Sequence, residues 1–400
     1  MPEELEGLLT AEGQALLAGL RGHDPVNDLA AATALRRTHD ARLVAAALSQ
    51  TRLRQRAVAK FGAADAHRMY FTPHGLEQST RASVATHRAQ RFAAFWPEAV
   101  ADLCCGVGGD VIAMLRAGLA VTAVDRDPLT CAVVAANAAA LDLADRLEVR
   151  CADVRDVGGG GLDGVFVDPA RRTARGRVFD PESYSPPLSW ALDAAASGAP
   201  GAVKVAPGIP HEAVPPAAEA EWISDGGDVK EAVVWFDGRG DRVRSGARRA
   251  TLLPSGATLV GRGLPDPAVR PVGRYLYEPD GAVIRAHLVA EVAEELGGGL
   301  IDPTIAYVTA DELRATPFAT AYEVTDVLPF GLKRLKALLR EREVGILTVK
   351  KRGSAVDPED LRRRVRPRGP HSATVFLTRT SGAPTMLLAA PARVEPPAQT

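Results

Sequence analysis

Ala101-Asp102-Leu103-Cys104-Cys105-Gly106-Val107-Gly108-Gly109-Asp110 reads as a buried strand that breaks into a glycine turn and continues as a helix. Glycine has no Cβ, so Gly106, Gly108 and Gly109 can take positive φ and let a bulky ligand lie against main-chain N–H groups at a helix N-terminus. Three more hydrophobic runs follow, each ending in a carboxylate: Val121–Asp125, Val149–Asp153 and Val165–Asp168. With Asp102 they line four acids along one rim of a parallel sheet, where open α/β folds bind ligands. The surrounding sequence alternates strand and helix. Ala101–Cys104, Val121–Asp125, Leu147–Arg150, Gly164–Asp168 and Ala202–Ala206 are the expected strands, and Val111–Ala117, Leu129–Leu141 and Leu188–Ala196 the expected helices. Such alternation predicts a doubly wound α/β sheet.

In order and spacing these motifs resemble the class I S-adenosylmethionine-dependent methyltransferases, a Rossmann-like family, over roughly residues 95 to 255. The resemblance implies a cofactor and a site. Asp102 and the glycine turn, with Cys104, Gly106 and Gly108, would hold the methionine end of S-adenosylmethionine. Asp125 would take the two ribose hydroxyls, beside Arg126, and Asp153 the adenine amine, beside Val154. A carboxylate accepts two O–H donors at once, which suits a ribose. The competing reading is a dinucleotide-binding Rossmann domain, whose acid follows its glycines at a similar interval. The Asp-x-x-x-Gly-x-Gly form lacks that three-glycine fingerprint, and Asp153 and Asp168 would then have no role.

Most family members carry glycine where Cys104 stands, so a cysteine there is expected to take negative φ or to shift the turn. Cys105-Gly106-Val107-Gly108-Gly109 is similar to the turn of the trimethylguanosine synthases, which points to an RNA substrate. The family holds its acceptor at the fourth strand end, here Asp168-Pro169-Ala170-Arg171-Arg172. Members that methylate exocyclic amines usually show Asp/Asn-Pro-Pro and an aromatic, so Ala170 and Arg171 argue against simple N6-adenine chemistry. Asp-Pro-Ala-Arg resembles RNA uridine C5-methyltransferases, which also need a cysteine after the fifth strand. This chain has Lys204-Val205-Ala206-Pro207-Gly208 there and no cysteine beyond Cys151. The candidate catalytic set is Asp168, Pro169 and Arg171. Asp168 would accept a hydrogen bond or proton from the acceptor nitrogen, and Arg171 would fork onto a phosphate or orient Asp168. Alternatively, Arg171 and Arg172 form surface ion pairs.

Four hundred residues suffice for two or three domains, and no stretch approaches the ~20 apolar residues of a membrane helix. The acidic N-terminus shows no secretory signal. Cys104, Cys105, Cys131 and Cys151 form no Cys-x-x-Cys pair. They read as reduced small residues of a cytoplasmic protein, with no metal implied.

Residues 1–95 read as a helical N-terminal domain with a long helix, Asp40–Lys60, stopped at Phe61-Gly62. Its Arg52, Arg54, Arg56 and Lys60 form either a solvated surface or an RNA contact. The helix running to Phe95 leads into the first strand, and some of its residues could cover the cofactor. Residues 96–260 form the methyltransferase core, closed by an expected hairpin of Glu231–Phe236 with Arg248–Leu253. The run Gly158–Gly161 and the loop from Asp237 read as surface connections, and the tail after Pro391 as disordered.

Residues 270–392 predict a further α/β domain: helix Gly281–Leu296, strands Ile305–Val308 and Tyr322–Leu328, helix Leu332–Arg342, strand Gly345–Lys350, helix Pro358–Arg364 and two final strands. Together with Val344 to Gly353 it resembles the THUMP-like domain found behind bacterial methyltransferase cores. Residues 331–370 hold thirteen Lys/Arg against five Asp/Glu, a net of +8 in a chain of net −1, which leaves −9 for the remainder. Lys333, Arg334, Lys336, Lys350, Lys351 and Arg352 are candidate phosphate contacts. The reading as a whole is an enzyme that methylates a nitrogen of an RNA base, in tRNA or rRNA. A protein or small-molecule acceptor, or a non-catalytic RNA-binding role, stays open.

Overall fold

A computed structural model describes residues 3–95, 97–157, 163–173, 176–177, 180–197, 200–237 and 244–392. The Gly158–Gly161 run, residues 238–243 of the loop from Asp237, the tail from 393 and the side chain of Arg172 lie outside the described residues. The chain forms two compact units, 1–220 with 231–246 and 221–230 with 247–400.

The first unit opens with α1 (Glu3–Leu9), α2 (Ala11–Gly19), α3 (Asp28–Leu35), α4 (Ala41–Ala66), α5 (Pro73–Gln78) and α6 (Ala82–Ala94). Asp40 caps α4 by accepting from the Arg42 and Leu43 amides. Gly62 interrupts α4 at φ 76° instead of ending it, because the alanines that follow resume helix as far as Ala66. Arg56 of α4 is exposed, whereas Arg54 and Lys60 are used internally. Buried Arg54 donates to the Met69 and Arg68 carbonyls, and Lys60 Nζ donates to the carbonyls of Leu76, Glu77 and Ser79 at the end of α5. Arg52 pairs with Asp28 at 3.0 Å. The solvated or RNA-contacting face expected here is thus replaced, at Arg54 and Lys60, by backbone contacts.

The sheet follows: β1 (Ala99–Leu103), α7 (Gly109–Arg116), β2 (Ala120–Asp125), α8 (Pro128–Ala140), β3 (Leu147–Cys151), α9 (Val154–Val157) and β4 (Val165–Val167). After a two-residue ladder of β5 (Arg172–Thr173) with β6 (Gly176–Arg177) come α10 (Leu188–Ala196), β7 (Gly201–Val205), β8 (Glu219–Asp225) and β9 (Asp228–Phe236). Strand order in this unit is β9-β7-β4-β1-β2-β3, parallel except for β9 against β7. Chain direction across the sheet reverses between β1 and β4, the switch point where such folds leave a crevice. Sequence dictates the local parts. Asp127 accepts from the Thr130 amide and Pro128 fills the first turn of α8, so that helix starts just past Asp125. Buried Leu48, Phe61 and Phe71 of the helical segment share a core with Val107, Ile112 and Val133 of α7, α8 and the turn. Each such side chain contributes roughly 1.5–3 kcal/mol.

In the second unit β10 (Arg248–Leu253) pairs with β11 (Ala257–Val260). The expected hairpin of 231–236 with 248–253 does not form: 232–236 of β9 pairs with β7, and β10 with β11. Gly226 and Gly227, at φ 63° and 84°, make the tight turn from β8 into β9. The acids Glu219 and Glu221 disguised β8 as a loop, yet both are fully buried. Glu221 accepts from Thr251 Oγ1 at 2.6 Å.

Then come β12 (Tyr275–Pro279), α11 (Gly281–Arg285), α12 (Val289–Leu296), β13 (Gly299–Asp302), β14 (Ile305–Ala310), β15 (Ala319–Pro329), α13 (Leu332–Glu341), β16 (Val344–Lys351), α14 (Pro358–Val365), β17 (His371–Thr380) and β18 (Ala383–Pro391). They form a seven-stranded sheet in the order β13-β14-β12-β15-β18-β17-β16, antiparallel except for β16 with β17. The helix expected over 281–296 is broken at His287, which takes φ 58°. Leu335, Leu338 and Leu339 of α13 and Leu361 and Val365 of α14 pack with Leu347, Val349, Val375 and Leu377. Tyr307, Tyr322, Phe376 and Leu387 make a separate cluster. Alternation along β17, with Val375 and Leu377 in one cluster and Phe376 in the other, sorts the two faces.

Candidate active site

At the switch point the turn after β1 is held from below. The Cys104 and Cys105 amides both donate to the Val124 carbonyl, at 2.9 and 3.1 Å. Cys104 stands at φ 71°, so the expected negative φ is not found: the turn keeps the glycine geometry and the cysteine carries the strain, on the order of 1–2 kcal/mol. Gly106 (φ 54°) has open space where a Cβ would lie, whereas a Cβ on Gly108 (φ 87°) would meet Val134 Cγ2 at 2.6 Å. The first glycine leaves room for a ligand and the second is required by packing.

Over this turn lies a cavity of about 430 Å³, within the usual range for small-molecule sites. Cys104, Gly106, Asp125, Arg126, Asp153 and Val154 are on its wall. Asp125 Oδ2 accepts from the Gly106 amide at 3.3 Å and Oδ1 from the Asp127 amide at 3.0 Å. Burial nevertheless pushes its carboxyl above the ordinary value. Asp153 differs. Arg155 forks onto both its oxygens at 3.0 and 2.7 Å and holds its carboxyl well below the usual range.

Asp102 and Gly108 sit beneath the cavity wall. Asp102 is 1% exposed, and neither carboxylate oxygen has a hydrogen-bond partner among the described residues. Burial, then repulsion from Asp110 and Asp168, pushes its carboxyl well above the ordinary range. An orphaned buried carboxylate beside a glycine turn is a fitting receptor for a ligand ammonium.

The opposite wall is formed by residues the sequence reading did not assign. Thr72, His74, Gly75 and Gln78 reach it from the α5 segment, whereas α6, expected to cover the site, does not line it. Fully buried Asn137 fixes that segment: its side chain bonds both the amide and carbonyl of Tyr70 and the Val107 carbonyl of the glycine turn. A paired backbone bridge between Ala170 and Ser185 brings Tyr184, Ser185, Pro186 and Pro187 to the rim. Tyr184 therefore supplies an aromatic that the Asp168-Pro169-Ala170-Arg171 motif lacks.

Asp168 and Pro169 end β4, with Ala170 on the cavity wall and Arg171 half-buried next to it. The Asp168 amide donates to the Leu103 carbonyl at 3.1 Å, and its Oδ2 accepts from Lys204 Nζ at 2.6 Å. Lys204 was read only as the place where a cysteine is missing. A lysine within the small apolar strand Gly201–Val205 was the available signal.

The six basic candidates separate into two sets. Lys333, Arg334 and Lys336 are exposed on α13. On β16, Leu347 and Val349 belong to the cluster under α13, while Lys350 pairs with Glu278 and lies over the Tyr322 ring at 5.6 Å. Arg352 lies over Tyr307 at 5.0 Å, and Lys351 is exposed. The period-2 alternation of a strand is what parts them.

A model described as RNA cap guanine-N2 methyltransferase matches residues 97–187, one described as THUMP domain-like matches 319–391, and a domain of unknown function matches 2–57. Uncharacterized S-adenosylmethionine-dependent methyltransferases from two strains of Mycobacterium tuberculosis, CDC 1551 and H37Rv, are each 37% identical over 340 residues, covering 82% of this chain and 91% of theirs. The chain belongs to the S-adenosylmethionine-dependent methyltransferases. A methyltransferase crystal structure from Porphyromonas gingivalis W83 is similar in fold across 95% of this methyltransferase and 98% of that chain, with TM-score 0.76 at 22% identity. The class I methyltransferase fold followed by a THUMP-like domain, expected from the motifs, is thereby established, and so is the cofactor. Among the described residues no helix is long and apolar enough to cross a membrane.

Proposed function

We propose that this methyltransferase acts on a nitrogen of an RNA base, in tRNA or rRNA. The observation that carries the reading is Asp168: it follows β4 two residues before the cavity-lining Ala170, with Oδ2 held by Lys204 and no protein donor on Oδ1 among the described residues. When bound, S-adenosylmethionine supplies a sulfonium methyl, and transfer breaks the S–C bond, forms an N–C bond and releases the proton of the amine. Asp168 Oδ1 accepts the hydrogen bond from that amine and then its proton. Asp102 with Gly106 and Gly108 would hold the cofactor's amino-acid end, Asp125 its ribose and Asp153 its adenine amine, beside Cys104, Arg126 and Val154. Asp153 keeps spare acceptor lone pairs despite Arg155. Positioning of the amine at about 3–3.5 Å from the methyl is the main catalytic contribution such a site makes. Pro169 stiffens the strand end, Tyr184 offers a ring to the base, and Arg171 suits a neighbouring phosphate.

The match to a cap guanine-N2 methyltransferase model supports an exocyclic amine as the acceptor, and the THUMP domain-like match together with the +8 stretch supports RNA. Labelled methyl from S-adenosylmethionine, offered to size-fractionated RNA from cells lacking the protein, tests this. Label should enter one RNA size class with the wild type, and Asp168→Ala should reduce it about 100-fold or more. Label entering protein or small-molecule fractions instead would reject RNA as the substrate.

A further inference from the structure

We infer that Lys204 is a positioning residue for Asp168, fixing which carboxylate oxygen meets the acceptor; this rests on the acceptor role given to Asp168 above. Lys204 is 4% exposed in the central strand β7, between Val203 and Val205, which are fully buried. An ammonium there is costly unless its donors are used. Nζ donates to Asp168 Oδ2 at 2.6 Å and to Thr80 Oγ1 at 2.8 Å. Thr80 in turn donates to Asp110 Oδ2 at 2.7 Å. Asp110 also accepts from Arg88, which is fully buried, pairs with Glu231 and lies over the Phe166 ring at 4.6 Å.

A continuous buried chain therefore runs from Glu231 on β9 through Arg88, Asp110 and Thr80 to Lys204 and Asp168. Its links come from five different elements and the segment before α6, so Lys204 cannot swing away without unpairing a buried charge elsewhere. The Asp168 end of the chain stands two residues before Ala170, which lines the cavity. A buried ion pair adds little stability over an apolar replacement, because desolvation offsets the attraction. What this one does is hold Oδ2 and leave Oδ1 without a protein donor among the described residues.

The test is methyl transfer by the full-length protein to total RNA from cells lacking it, with kcat, the KM for S-adenosylmethionine and cofactor affinity measured for Lys204→Met, Lys204→Arg and Asp168→Asn. Lys204→Met should lower kcat about 100-fold, with cofactor KM and Kd within about threefold of wild type. Lys204→Arg keeps the charge and should recover about tenfold of that loss. Lys204→Met with kcat within about twofold of wild type overturns the proposal, as does an equal loss in Met and Arg variants accompanied by equal loss of cofactor affinity, the mark of a merely structural role. Should Lys204→Met fail to fold, Lys204→Arg decides alone: reduced kcat with intact cofactor affinity supports the role, and full kcat removes it. Asp168→Asn separates the two readings. Full turnover in that variant defeats the acceptor role of Asp168 itself, whereas an inactive Asp168→Asn beside an active Lys204→Met defeats only the part given to Lys204.

Discussion

At the strand-end rim Asp102 is 1% exposed with both oxygens unpartnered, whereas on α13 Lys333, Arg334 and Lys336 all stand exposed. Both regions are rich in charge, but the physics acting on them differs. At the rim, four carboxylates are placed by the ends of parallel strands, and burial raises the carboxyls of Asp102 and Asp125 while Arg155 lowers that of Asp153. In residues 331–370 charge is dense and most of it is solvated, so the position of each side chain is loosely specified. The difference teaches that a site is marked by charges the fold cannot easily accommodate, and a contact surface by charges it accommodates at no cost.

The largest effect expected at the rim is from Asp125→Ala. It removes the acceptor proposed for the ribose and releases the Gly106 and Asp127 amides, so cofactor affinity measured by calorimetry should fall about 100-fold. A change under threefold would place the ribose elsewhere and break the contrast.

Asp102→Asn should separate stability from function. The Asp102 carboxyl is held above the ordinary range, so the folded chain binds that proton more tightly than the unfolded chain. Its contribution is favourable below the ordinary carboxylate range and is lost as pH rises through the folded value. The asparagine should therefore raise Tm at neutral pH by about 2–4 °C for each kcal/mol recovered, with the gain vanishing in acid. Cofactor affinity should fall about tenfold or more through loss of the counter-charge. A Tm gain that persists unchanged in acid would show that ionisation is not the cause.

The basic region sharpens the comparison through two variants. Replacing Lys333, Arg334 and Lys336 by Gln should lower the slope of log affinity for RNA against log salt by up to about 3 while leaving Tm unchanged. Replacing Lys350 and Arg352 by Gln should lower Tm, since both contact Glu278 or tyrosine rings within the fold, and should change the salt slope less. The reverse ranking in a salt titration would move the RNA surface to the tyrosine face.

The smallest effect belongs to Cys104→Gly. Relief of the left-handed strain is partly offset by the added freedom of the unfolded chain, so a gain below about 1 kcal/mol is expected by denaturant unfolding, with cofactor affinity unchanged.

The parallel core was legible because four of its five parallel strands carry or lead into an Asp, and a period of alternating elements admits few topologies. Where a buried element carried charge, the pattern misled. β8 was missed because Glu219 and Glu221 look like loop residues, and each meets a partner distant in sequence, Arg91 at 2.7 Å and Thr251 at 2.6 Å. The same applies to Arg54 and Lys60, whose donors are used by carbonyls from 14 to 19 residues further along.

The sequence by itself determined the alternating strands and helices of the parallel core, the glycine turn and the row of strand-end acids, because these depend on local periodicity and on what a backbone can do without a Cβ. Only the tertiary structure decided that Cys104 would bear positive φ, that the α5 segment and Tyr184 would complete the cavity, and that Lys204 would reach Asp168. The two Lys204 contacts join residues 36 and 124 positions apart, and their energies depend on burial, which no local pattern of residues encodes.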